Sequence, residues 1–346
     1  MNSFSAEILR WFRENGRDLP WRETKDPYAI WLSEIILQQT RIVQGWEYWE
    51  RFMQTYPKVE DLAAASEDDV LKLWQGLGYY SRARNLHAAA KQIVALGSFP
   101  NTLDGIKSLK GVGDYTAAAI GSFAFDIPAA VVDGNVYRVL SRYFGIDTPI
   151  NSTQGKKEFA ALAQSLLPAS DAASYNQGMM DFGAIQCTPQ SPKCLLCPLA
   201  ETCEALRCGR VEELPVKNKT VKVKTRHLSY IYIRCKSSVA DGAGNTEPMV
   251  AIHRRGEGDI WHGLWEPYNI SDVKELPSFV KNPILLAKDV KHVLTHRILL
   301  ADFYLLETET CPQLPDDYIW IKESEIEDYG VPRLIEIMLE KINPAE

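Results

Sequence analysis

The sequence predicts two domains of different class, a helical domain up to about residue 206 and a mixed α/β domain from about residue 227. Three observations support this division. The chain has 346 residues, of which 46% are apolar, and a net charge of −7, as expected for about two globular domains. Its first part has the pattern of helices separated by short turns, whereas its last part contains short runs of β-branched and aromatic residues. Residues 207–226 form a basic, proline-containing connector between them.

The helices of the first domain have marked starts and stops. Asp26 followed by Pro27 predicts an N-cap with proline in the first helical position, and Ser66 with Asp69 resembles a capping box. We therefore expect helices to begin near Pro27 and Glu67. Glycine and proline predict the ends of helices at Gly76, Gly78, Gly97 and Pro168.

The pattern changes from about residue 226. Residues 227–234, 248–253 and 298–306 are short runs rich in Ile, Tyr, Val and Leu, which predict strands. Residues 323–342 predict one closing helix. The second domain is therefore expected to be mixed α/β.

No stretch is long and apolar enough to span a bilayer, so no membrane partner is expected. Residues 1–12 have a helical pattern without a small-residue cleavage site, which predicts the first helix of a domain instead of a signal peptide. Clustered cysteines without disulfides are typical of the cytosol. We therefore expect a cytosolic protein, and a monomer.

The connector is basic although the chain as a whole is acidic. Its basic residues outnumber Glu212 and Glu213, and they are Arg207, Arg210, Lys217, Lys219, Lys222, Lys224 and Arg226. Two interpretations remain open, a solvated linker and a linker that lies along a phosphate backbone.

Four cysteines, Cys187, Cys194, Cys197 and Cys203, are separated by six, two and five residues. A thiolate set this dense suits a tetrahedral zinc ion or a 4Fe-4S cluster, because both prefer soft sulfur ligands. Paired CxxC knuckles are the usual zinc arrangement, and this run has only one CxxC. The spacing favours the cluster, with zinc as the alternative.

A glycine-rich turn lies at residues 109–118. Gly111 and Gly113 can take positive φ and keep side chains away, so that backbone N–H groups can face a phosphate. The turn residues Lys110, Gly111, Val112 and Gly113 are therefore candidate contacts to a nucleic-acid backbone. The alternative is an ordinary corner between helices.

Several longer segments resemble one family. They are Leu19-Pro20-Trp21-Arg22, Asp26-Pro27-Tyr28, residues 31–40 (WLSEIILQQT), Gly76-Leu77-Gly78-Tyr79-Tyr80 and Val132-Asp133-Gly134-Asn135-Val136. With the turn and the cysteines, they resemble the helix-hairpin-helix DNA glycosylases of the endonuclease III superfamily, and within it the adenine DNA glycosylase (MutY) family. The resemblance implies a mainly α-helical helix-hairpin-helix glycosylase region with a 4Fe-4S loop (1–206), the linker (207–226) and a C-terminal α/β Nudix-like domain (227–346).

The resemblance implies a catalytic set of four residues. Lyases of the superfamily carry a nucleophilic lysine at the position of Tyr115, which tyrosine cannot replace, so efficient strand cleavage is not expected. Glu34 would protonate adenine at N7, and its apolar surroundings would raise its pKa. Asp133 would stabilise positive charge on the sugar and, by resemblance to retaining glycosidases, bond transiently to its C1′. Asn135 and Tyr115 would orient these groups.

Each of these residues also has a structural interpretation. Glutamate among apolar residues usually lies on a solvated helix face, and Asp133 could simply cap the next helix. The resemblance further implies an adenine pocket, for which core packing and surface salt bridges are the alternatives. Its residues are Arg17, Trp21, Arg22, Leu37 and Gln177.

Recognition of the opposite base is also implied. The matching residues for a wedge around 8-oxoguanine are Gln39, Thr40, Leu77 and Tyr79. In the Nudix-like domain, Leu294-Thr295-His296 stands where the family commonly has Phe-Ser-His, so the aromatic partner is lost while Thr295 and His296 keep their hydrogen-bonding groups. No Nudix acidic box occurs between Gly256 and Leu306, which argues against a nucleotide hydrolase. We interpret Trp261, Leu264 and Trp265 as packing residues.

The resulting expectation is a monofunctional adenine DNA glycosylase that acts on double-stranded DNA containing A:8-oxoguanine or A:G mispairs. Two alternatives remain, a glycosylase/lyase for oxidised pyrimidines and a 4Fe-4S module that binds DNA without catalysis.

Overall fold

The computed structural model describes residues 3–218, 223–236, 247–271, 273 and 275–343. The predicted linker residues Lys219 and Lys222, the first two residues of the predicted N-terminal helix and the last three of the predicted second domain lie outside the described residues. Contacts divide the described chain into two units. The first contains residues up to 64 and residues 85–218, and the second contains residues 65–84 and residues from 223 onward.

The N-terminal part of the chain is helical, as predicted. Its α-helices are α1 (Ser3–Asn15), α2 (Pro27–Ile36), α3 (Ile42–Thr55), α4 (Val59–Ala64), α5 (Glu67–Leu73), α6 (Ser81–Leu96), α7 (Leu103–Lys107), α8 (Asp114–Phe125), α9 (Gly134–Phe144), α10 (Thr153–Leu166), α11 (Ala172–Asp181) and α12 (Glu204–Arg207). Short 3-10 turns lie at Pro20–Arg22, Ala169–Asp171, Cys194–Leu196 and Ala200–Thr202, and a π-helical turn at Phe182–Gln186.

The predicted helix signals are confirmed. The side chain of Asp26 accepts a hydrogen bond from the N–H of Tyr28 at 3.0 Å and caps α2. Ser66 accepts from the N–H of Asp69 at 3.0 Å and caps α5. Gly97 ends α6 with a φ of 80°, a conformation that glycine adopts without strain.

The first unit is built around apolar contacts between helices. Ile8 of α1, Leu140 of α9, Phe159 of α10 and the π-turn residue Phe182 belong to one buried cluster. A second cluster joins α2 to α8, whose alanines allow the two helices to approach closely. These contacts fix α2, α8 and the start of α9, which carry the predicted catalytic residues.

The second unit contains a seven-stranded sheet. Its strands are β1 (Lys224–Cys235), β2 (Met249–Arg254), β3 (Trp265–Glu266), β4 (Tyr268–Asn269), β5 (Ile284–Leu294), β6 (Arg297–Thr308) and β7 (Tyr318–Lys322). The order is β3-β2-β1-β6-β5, with β4 paired to β1 and β7 paired to β2. Strands β1 and β6 are parallel, and the other pairs are antiparallel.

Both faces of the central strand β1 are buried. Leu228, Tyr230 and Tyr232 join one cluster with residues of the last helix, α13 (Arg333–Ile342). Ile231 and Ile233 point to the other face and join a second cluster. The alternation follows from the two-residue period of a strand.

The prediction of one closing helix over residues 323–342 is wrong. A 3-10 helix covers Glu323–Asp328, and α13 begins only at Arg333. The reason is Pro332, which disfavours helical conformation at the residue before it and lacks an N–H to donate within a helix. Strands β3, β4, β5 and β7 lie outside the predicted runs. Strands β3 and β4 have only two residues each, and β5 carries charged residues and bulges that interrupt its apolar pattern.

Residues 65–84, which the sequence pattern assigns to the first domain, pack within the second unit. The N–H of Val331 donates to Gln75 Oε1 at 3.4 Å, and the Gln75 side chain also bonds Glu336. Arg254 Nη2 donates to Glu67 at 2.8 Å. These contacts join residues that are distant in sequence, so no local sequence pattern predicts them.

Candidate active site

Glu34 lies near the end of α2 and is buried, with 6% of its surface exposed. The pKa of Glu34 is raised to about 7, chiefly by burial and also by the negative charge of Asp133, while a hydrogen bond from Tyr115 and the charge of Arg22 act in the opposite direction. The predicted rise in pKa is thus present, and Glu34 does not lie on a solvated helix face. A carboxyl with this pKa can hold a proton near neutral pH and release it to a base.

Tyr115 is the second residue of α8 and faces Glu34. Its hydroxyl donates a hydrogen bond to Glu34 Oε2 at 2.9 Å. Burial, together with the charges of Glu34 and Asp133, holds the pKa of Tyr115 well above its usual range. Tyr115 therefore remains a protonated donor that orients the Glu34 carboxyl.

Asp133 is the N-cap of α9. Its Oδ1 accepts from the N–H groups of Asn135 at 2.9 Å and Val136 at 2.8 Å, and its Oδ2 accepts from Asn135 Nδ2 at 2.7 Å. Burial raises the pKa of Asp133, although these hydrogen bonds act in the opposite direction. Asp133 therefore caps α9, as the structural interpretation expects. The same hydrogen bonds hold the carboxylate in one position, which a catalytic role would also require. Arg138 Nη2 donates to Asn135 Oδ1 at 2.8 Å and orients this amide.

One pocket of the first unit brings together all five residues predicted to surround adenine. Glu34 lines the same pocket. The five residues are Arg17, Trp21, Arg22, Leu37 and Gln177. Trp21 is held from behind, since its ring makes edge contacts with Trp46 at 5.9 Å and Trp49 at 5.6 Å.

Sequence reasoning missed Asp181, a fully buried residue at the end of α11. Arg22 donates to both of its carboxylate oxygens at 2.8 Å, and the N–H and Nε of Arg17 donate at 2.9 Å. Burial alone would raise the pKa of Asp181, but these hydrogen bonds lower it. Asp181 thus holds both arginines at the pocket. In the sequence, the only indication of this role is that Asp181 is a single acidic residue in an otherwise apolar helix end.

The glycine turn connects α7 to α8. Gly111 has a φ of 77°, and a Cβ there would approach the Asn85 side chain to 2.7 Å, so glycine is required. The prediction of positive φ at Gly113 is wrong, because this residue is the extended N-cap of α8 with a φ of −96°. A Cβ on Gly113 would meet no atom within 4 Å.

Two backbone N–H groups of this turn already donate hydrogen bonds within the protein. Lys110 donates to Gln92 Oε1 at 2.7 Å, and Val112 donates to the carbonyl of Leu109 at 3.1 Å. Within the described chain, the N–H groups of Gly111 and Gly113 make no hydrogen bond. They are free to face an anion at the N-terminus of α8.

Gly113→Ala tests this use of the turn. The extended backbone accepts alanine without strain, but alanine is a poorer N-cap than glycine, so a small loss in melting temperature is expected. The methyl group would hinder a phosphate. We expect affinity for duplex DNA to fall by roughly 2- to 10-fold, the effect of losing one hydrogen bond. Gly256→Ala is the matched control, since a Cβ there also meets nothing within 4 Å. Equal affinities of both variants, measured by titration at fixed salt, would contradict the phosphate contact.

The four clustered cysteines line one small cavity together with Arg142 and Lys193, and none of them is in a disulfide. Arg142 Nη1 lies 3.4 Å from Cys187 Sγ and donates to the carbonyl of Thr188 at 2.7 Å. Burial, and then the neighbouring thiols, raise the pKa of the other three cysteines, to about 11 for Cys197. Four thiolates in this space would repel one another unless a cationic centre neutralised them, so the donor set fits an iron-sulfur cluster.

Four of the predicted recognition residues line a cavity of about 510 Å³ in the second unit. They are Leu77, Tyr79, Thr295 and His296. The Tyr79 hydroxyl and Thr295 Oγ1 share a hydrogen bond. Tyr79 has a φ of 47°, an uncommon conformation for a bulky residue. We call this cavity the recognition pocket.

Gln39 and Thr40 belong to the first unit and follow α2. Gln39 also has a positive φ, 58°, and the N–H of Thr40 donates to the carbonyl of Leu37 at 3.2 Å. Their neighbour Gln38 donates to Thr116 Oγ1 at 3.2 Å, which joins this turn to α8.

Two features are absent from the residues that the structure describes. None of their helices has the length and apolar character needed to cross a membrane. No group of three or more His, Cys, Asp or Glu side chains among them is close enough together to hold a single metal ion, although the four cysteines share one cavity. The choice between a cluster and zinc therefore depends on comparison with known proteins.

Family models match three parts of the chain. Residues 32–168 match the HhH-GPD superfamily of base excision DNA repair proteins, residues 187–203 match the iron-sulfur binding domain of endonuclease III, and residues 244–341 match the NUDIX domain. The iron-sulfur match confirms the prediction of a 4Fe-4S cluster over zinc. The fold class predicted from the sequence is also confirmed.

Relatives and solved structures agree with this assignment. The adenine DNA glycosylase of Buchnera aphidicola subsp. Acyrthosiphon pisum is 40% identical over 97% of each chain, and that of Homo sapiens is 41% identical over 62% of this chain and 41% of the human one. A thermostable thymine-DNA glycosylase is similar in structure, with a TM-score of 0.56 and 34% identity over 59% of this chain and 95% of that one. The chain therefore belongs to the adenine DNA glycosylase family, within the HhH-GPD superfamily of base excision DNA repair proteins.

Proposed function

We propose that this protein is a monofunctional glycosylase that hydrolyses the bond between deoxyribose and adenine paired with 8-oxoguanine or guanine, and leaves an abasic site. The observation that carries the proposal is the buried Glu34 carboxyl, whose pKa is raised to about 7 and whose Oε2 is held by Tyr115. Adenine leaves poorly as an anion, and a positioned acid removes this difficulty.

Three residues divide the chemistry. Glu34, oriented by Tyr115, donates its proton to N7 of adenine, so that the base departs neutral. Positive charge then grows on the sugar, and Asp133 stabilises it through its ionised carboxylate. Asp133 is the residue that we expect to form a transient bond to C1′, which water then hydrolyses. The hydrogen bonds that Asp133 accepts from the N–H groups of Asn135 and Val136 favour its anionic form, whereas burial favours the protonated form of Glu34.

The absence of an amine at position 115 supports the monofunctional assignment. A lyase needs a nucleophile that forms a Schiff base with the sugar. Tyr115 is instead a protonated phenol committed to Glu34. Strand cleavage should therefore be slow compared with base release.

The pocket of the first unit would receive the extruded adenine. Its aromatic and aliphatic walls, Trp21 and Leu37, suit a planar base, and Arg17, Arg22 and Gln177 supply polar groups at its edges. Extrusion costs a few kcal/mol of stacking and pairing, and Gln39, Thr40, Leu77 and Tyr79 are the residues that we propose to fill or wedge the gap.

The recognition pocket would examine the opposite base. An 8-oxoguanine base differs from guanine by a carbonyl at C8 and a proton on N7. The Thr295 hydroxyl can donate to or accept from these groups, and His296 can do the same. Leu294 provides no aromatic ring here.

The cluster has no step in this hydrolysis, because no electron is transferred. Bound by Cys187, Cys194, Cys197 and Cys203, it would stabilise the fold of the loop that carries them. Lys193 lies in this loop, where it can face DNA. We also propose that the protein acts as a monomer in the cytosol, on the bacterial nucleoid.

Duplexes carrying one A:8-oxoguanine, A:G or A:T pair test the proposed function. Each is incubated with cluster-loaded protein, and half of each sample is then treated with hot alkali, which breaks strands at abasic sites. We expect breaks only after alkali, fastest opposite 8-oxoguanine. Breaks before alkali would favour a lyase. No release of adenine from any duplex would favour a module that binds DNA without catalysis.

A further inference from the structure

Residues 76–80, which we call the Tyr79 turn, connect α5 to α6 and have an unusual backbone. Three of these five residues lie in the left-handed region, Gly76 with a φ of 95°, Gly78 with 69° and Tyr79 with 47°. Glycine adopts this conformation without strain, whereas a bulky residue rarely adopts it. A strained residue of this kind persists only where the surrounding structure holds it. Tyr79 therefore needs contacts that keep its backbone in place.

Arg82, in the first turn of α6, contacts the Tyr79 turn in two ways. Its guanidinium lies over two rings, 5.0 Å from the centre of the Trp74 ring and 5.6 Å from the centre of the Tyr79 ring. Its Nη2 donates to the carbonyls of Leu77 and Gly78 at 3.4 and 3.3 Å. These two residues directly precede Tyr79. Arg82 thus contacts both the ring of Tyr79 and the backbone that leads to it.

Trp74 anchors this arrangement in the core. It is fully buried, and its Nε1 donates to the carbonyl of Gly78 at 3.0 Å. The N–H of Arg82 also donates to the carbonyl of Tyr79 at 2.9 Å. A fully buried tryptophan moves little, so the cation that lies over its ring is also held in place. Through that cation, the position of Tyr79 is tied to the core.

Arg82 is charged at neutral pH although it is partly buried. Burial lowers the pKa of Arg82 to about 10, which still leaves the guanidinium protonated. The attraction between a cation and the face of an aromatic ring is stronger where water is partly excluded. Tyr79 itself remains 46% exposed. Arg82 therefore fixes Tyr79 while leaving much of that side chain accessible to a ligand.

Arg82 does not reach the recognition pocket by itself. Among the described residues that line this pocket are Leu77, Gly78 and Tyr79, but not Arg82. The hydroxyl of Tyr79 shares a hydrogen bond with Thr295 in the same pocket. Arg82 can thus act on a base in that pocket through the Tyr79 turn and not by contact.

We infer that Arg82 is a positioning residue, which holds Tyr79 in the conformation that it needs to act on DNA. The inference rests on the proposed function, in which Tyr79 helps to fill or wedge the gap left by the extruded adenine. Without Arg82, the strained backbone of Tyr79 would relax in part of the molecules. Binding would then weaken in proportion to the fraction of molecules that stay competent.

Binding of duplexes by Arg82→Met tests the inference. Methionine is also a long side chain, but it has neither the charge nor the N–H donors. The probe duplex carries 8-oxoguanine opposite a 2′-fluorinated deoxyadenosine, whose fluorine disfavours positive charge on the sugar and so prevents excision. Affinity for this duplex should fall by roughly 5- to 30-fold, the effect of losing a partly desolvated contact between a cation and a ring. Affinity for the same duplex with thymine in place of 8-oxoguanine should change little.

Tyr79→Leu shows whether Arg82 acts through Tyr79, because it removes the ring that Arg82 is inferred to hold. In the Tyr79→Leu background, Arg82→Met should weaken binding further by about twofold at most, whereas independent residues would give the full loss in both backgrounds. A purely structural role of Arg82 would not depend on Tyr79 in this way. Arg82→Lys should recover part of the affinity, because an ammonium can lie over the rings but lacks the planar set of donors.

Arg51→Met is the matched control. The Arg51 guanidinium lies 4.0 Å from the centre of the Tyr48 ring, so this variant removes the same charge and the same kind of contact away from the Tyr79 turn. Its affinity for the lesion duplex should stay close to that of the wild type. Melting temperatures show whether the variants are folded. If Arg82→Met melts far below the wild type, Arg82→Lys with and without Tyr79→Leu provides the same comparison.

The inference fails if Arg82→Met binds the lesion duplex as tightly as the wild type, or if its loss of affinity is the same with and without Tyr79. It also fails if the thymine duplex loses affinity equally and binding becomes less dependent on salt, since Arg82 would then contact a phosphate directly. Failure of the proposed function gives a different result. If Tyr79→Leu alone leaves binding of the lesion duplex unchanged, Tyr79 is not a wedge, and the inference is wrong together with that role.

Discussion

Replacing Glu34 by glutamine is expected to lower the single-turnover rate of adenine release by roughly 10²- to 10⁴-fold, the usual contribution of a general acid. Glutamine has the same shape, and its carbonyl can still accept the hydrogen bond that Tyr115 donates to Glu34 Oε2. It has no acidic proton to give to adenine. The comparison is made at saturating protein, so that it reports chemistry and not binding.

The dependence of the rate on pH gives a second measure of Glu34. Because its pKa is raised to about 7, the carboxyl is protonated below this pH and ionised above it. The rate of the wild type should therefore fall as the pH rises through about 7. The residual rate of Glu34→Gln should lack this fall. A fall of the same size in the variant would assign the titration to another group.

Stability separates a chemical effect of Glu34→Gln from a folding defect. The folded pKa of Glu34 is higher than its ordinary value of 4.5, so ionisation of this buried group favours unfolding increasingly as the pH rises from 4.5 to about 7. Above that range, the wild type carries a buried charge that the variant lacks. We expect Glu34→Gln to melt no lower than the wild type at alkaline pH. An unchanged rate in a folded variant would exclude Glu34 as the acid.

Local patterns were sufficient to predict much of this site. The Asp26 cap fixes where α2 begins, whereas the burial of Glu34 was expected from the family resemblance, because glutamate among apolar residues usually lies on a solvated helix face. The spacing of the four cysteines is dense enough to predict that they share one cavity. For the cap and the cysteines the information lies within a few residues, where sequence periodicity and capping chemistry apply.

Contacts between distant parts of the chain could not be predicted in this way. Asp181 bonds Arg17 and Arg22, which lie 164 and 159 positions away, and Tyr79 bonds Thr295 across 216 positions. Neither set of contacts leaves a periodic signal. The placement of residues 65–84 in the second unit depends on the same kind of contact.

Asp133→Asn is expected to lower the rate of adenine release by roughly 10²- to 10³-fold, the usual effect of removing one preorganised electrostatic group from an active site. Asparagine has nearly the same shape but carries no charge to oppose the positive charge on the sugar. Burial raises the pKa of Asp133, so the wild-type rate should also fall at acidic pH, as the carboxylate becomes protonated. The variant should lose this acidic fall and keep the alkaline one that belongs to Glu34.

The capping role of Asp133 requires its own control, because a damaged α9 would also lower the rate. Asparagine is as good an N-cap as aspartate, so the helix should survive. Asp26→Asn makes the same change at the N-cap of α2, where Asp26 Oδ1 accepts from the N–H of Tyr28 at 3.0 Å. We expect a larger drop in melting temperature for Asp133→Asn, because its Nδ2 would face the Asn135 Nδ2 that donates to Asp133 Oδ2 in the wild type. Both variants should still fold, and a large loss of rate is expected only for Asp133→Asn. A comparable loss of rate in both would mean that Asp133 acts through the helix and not on the sugar.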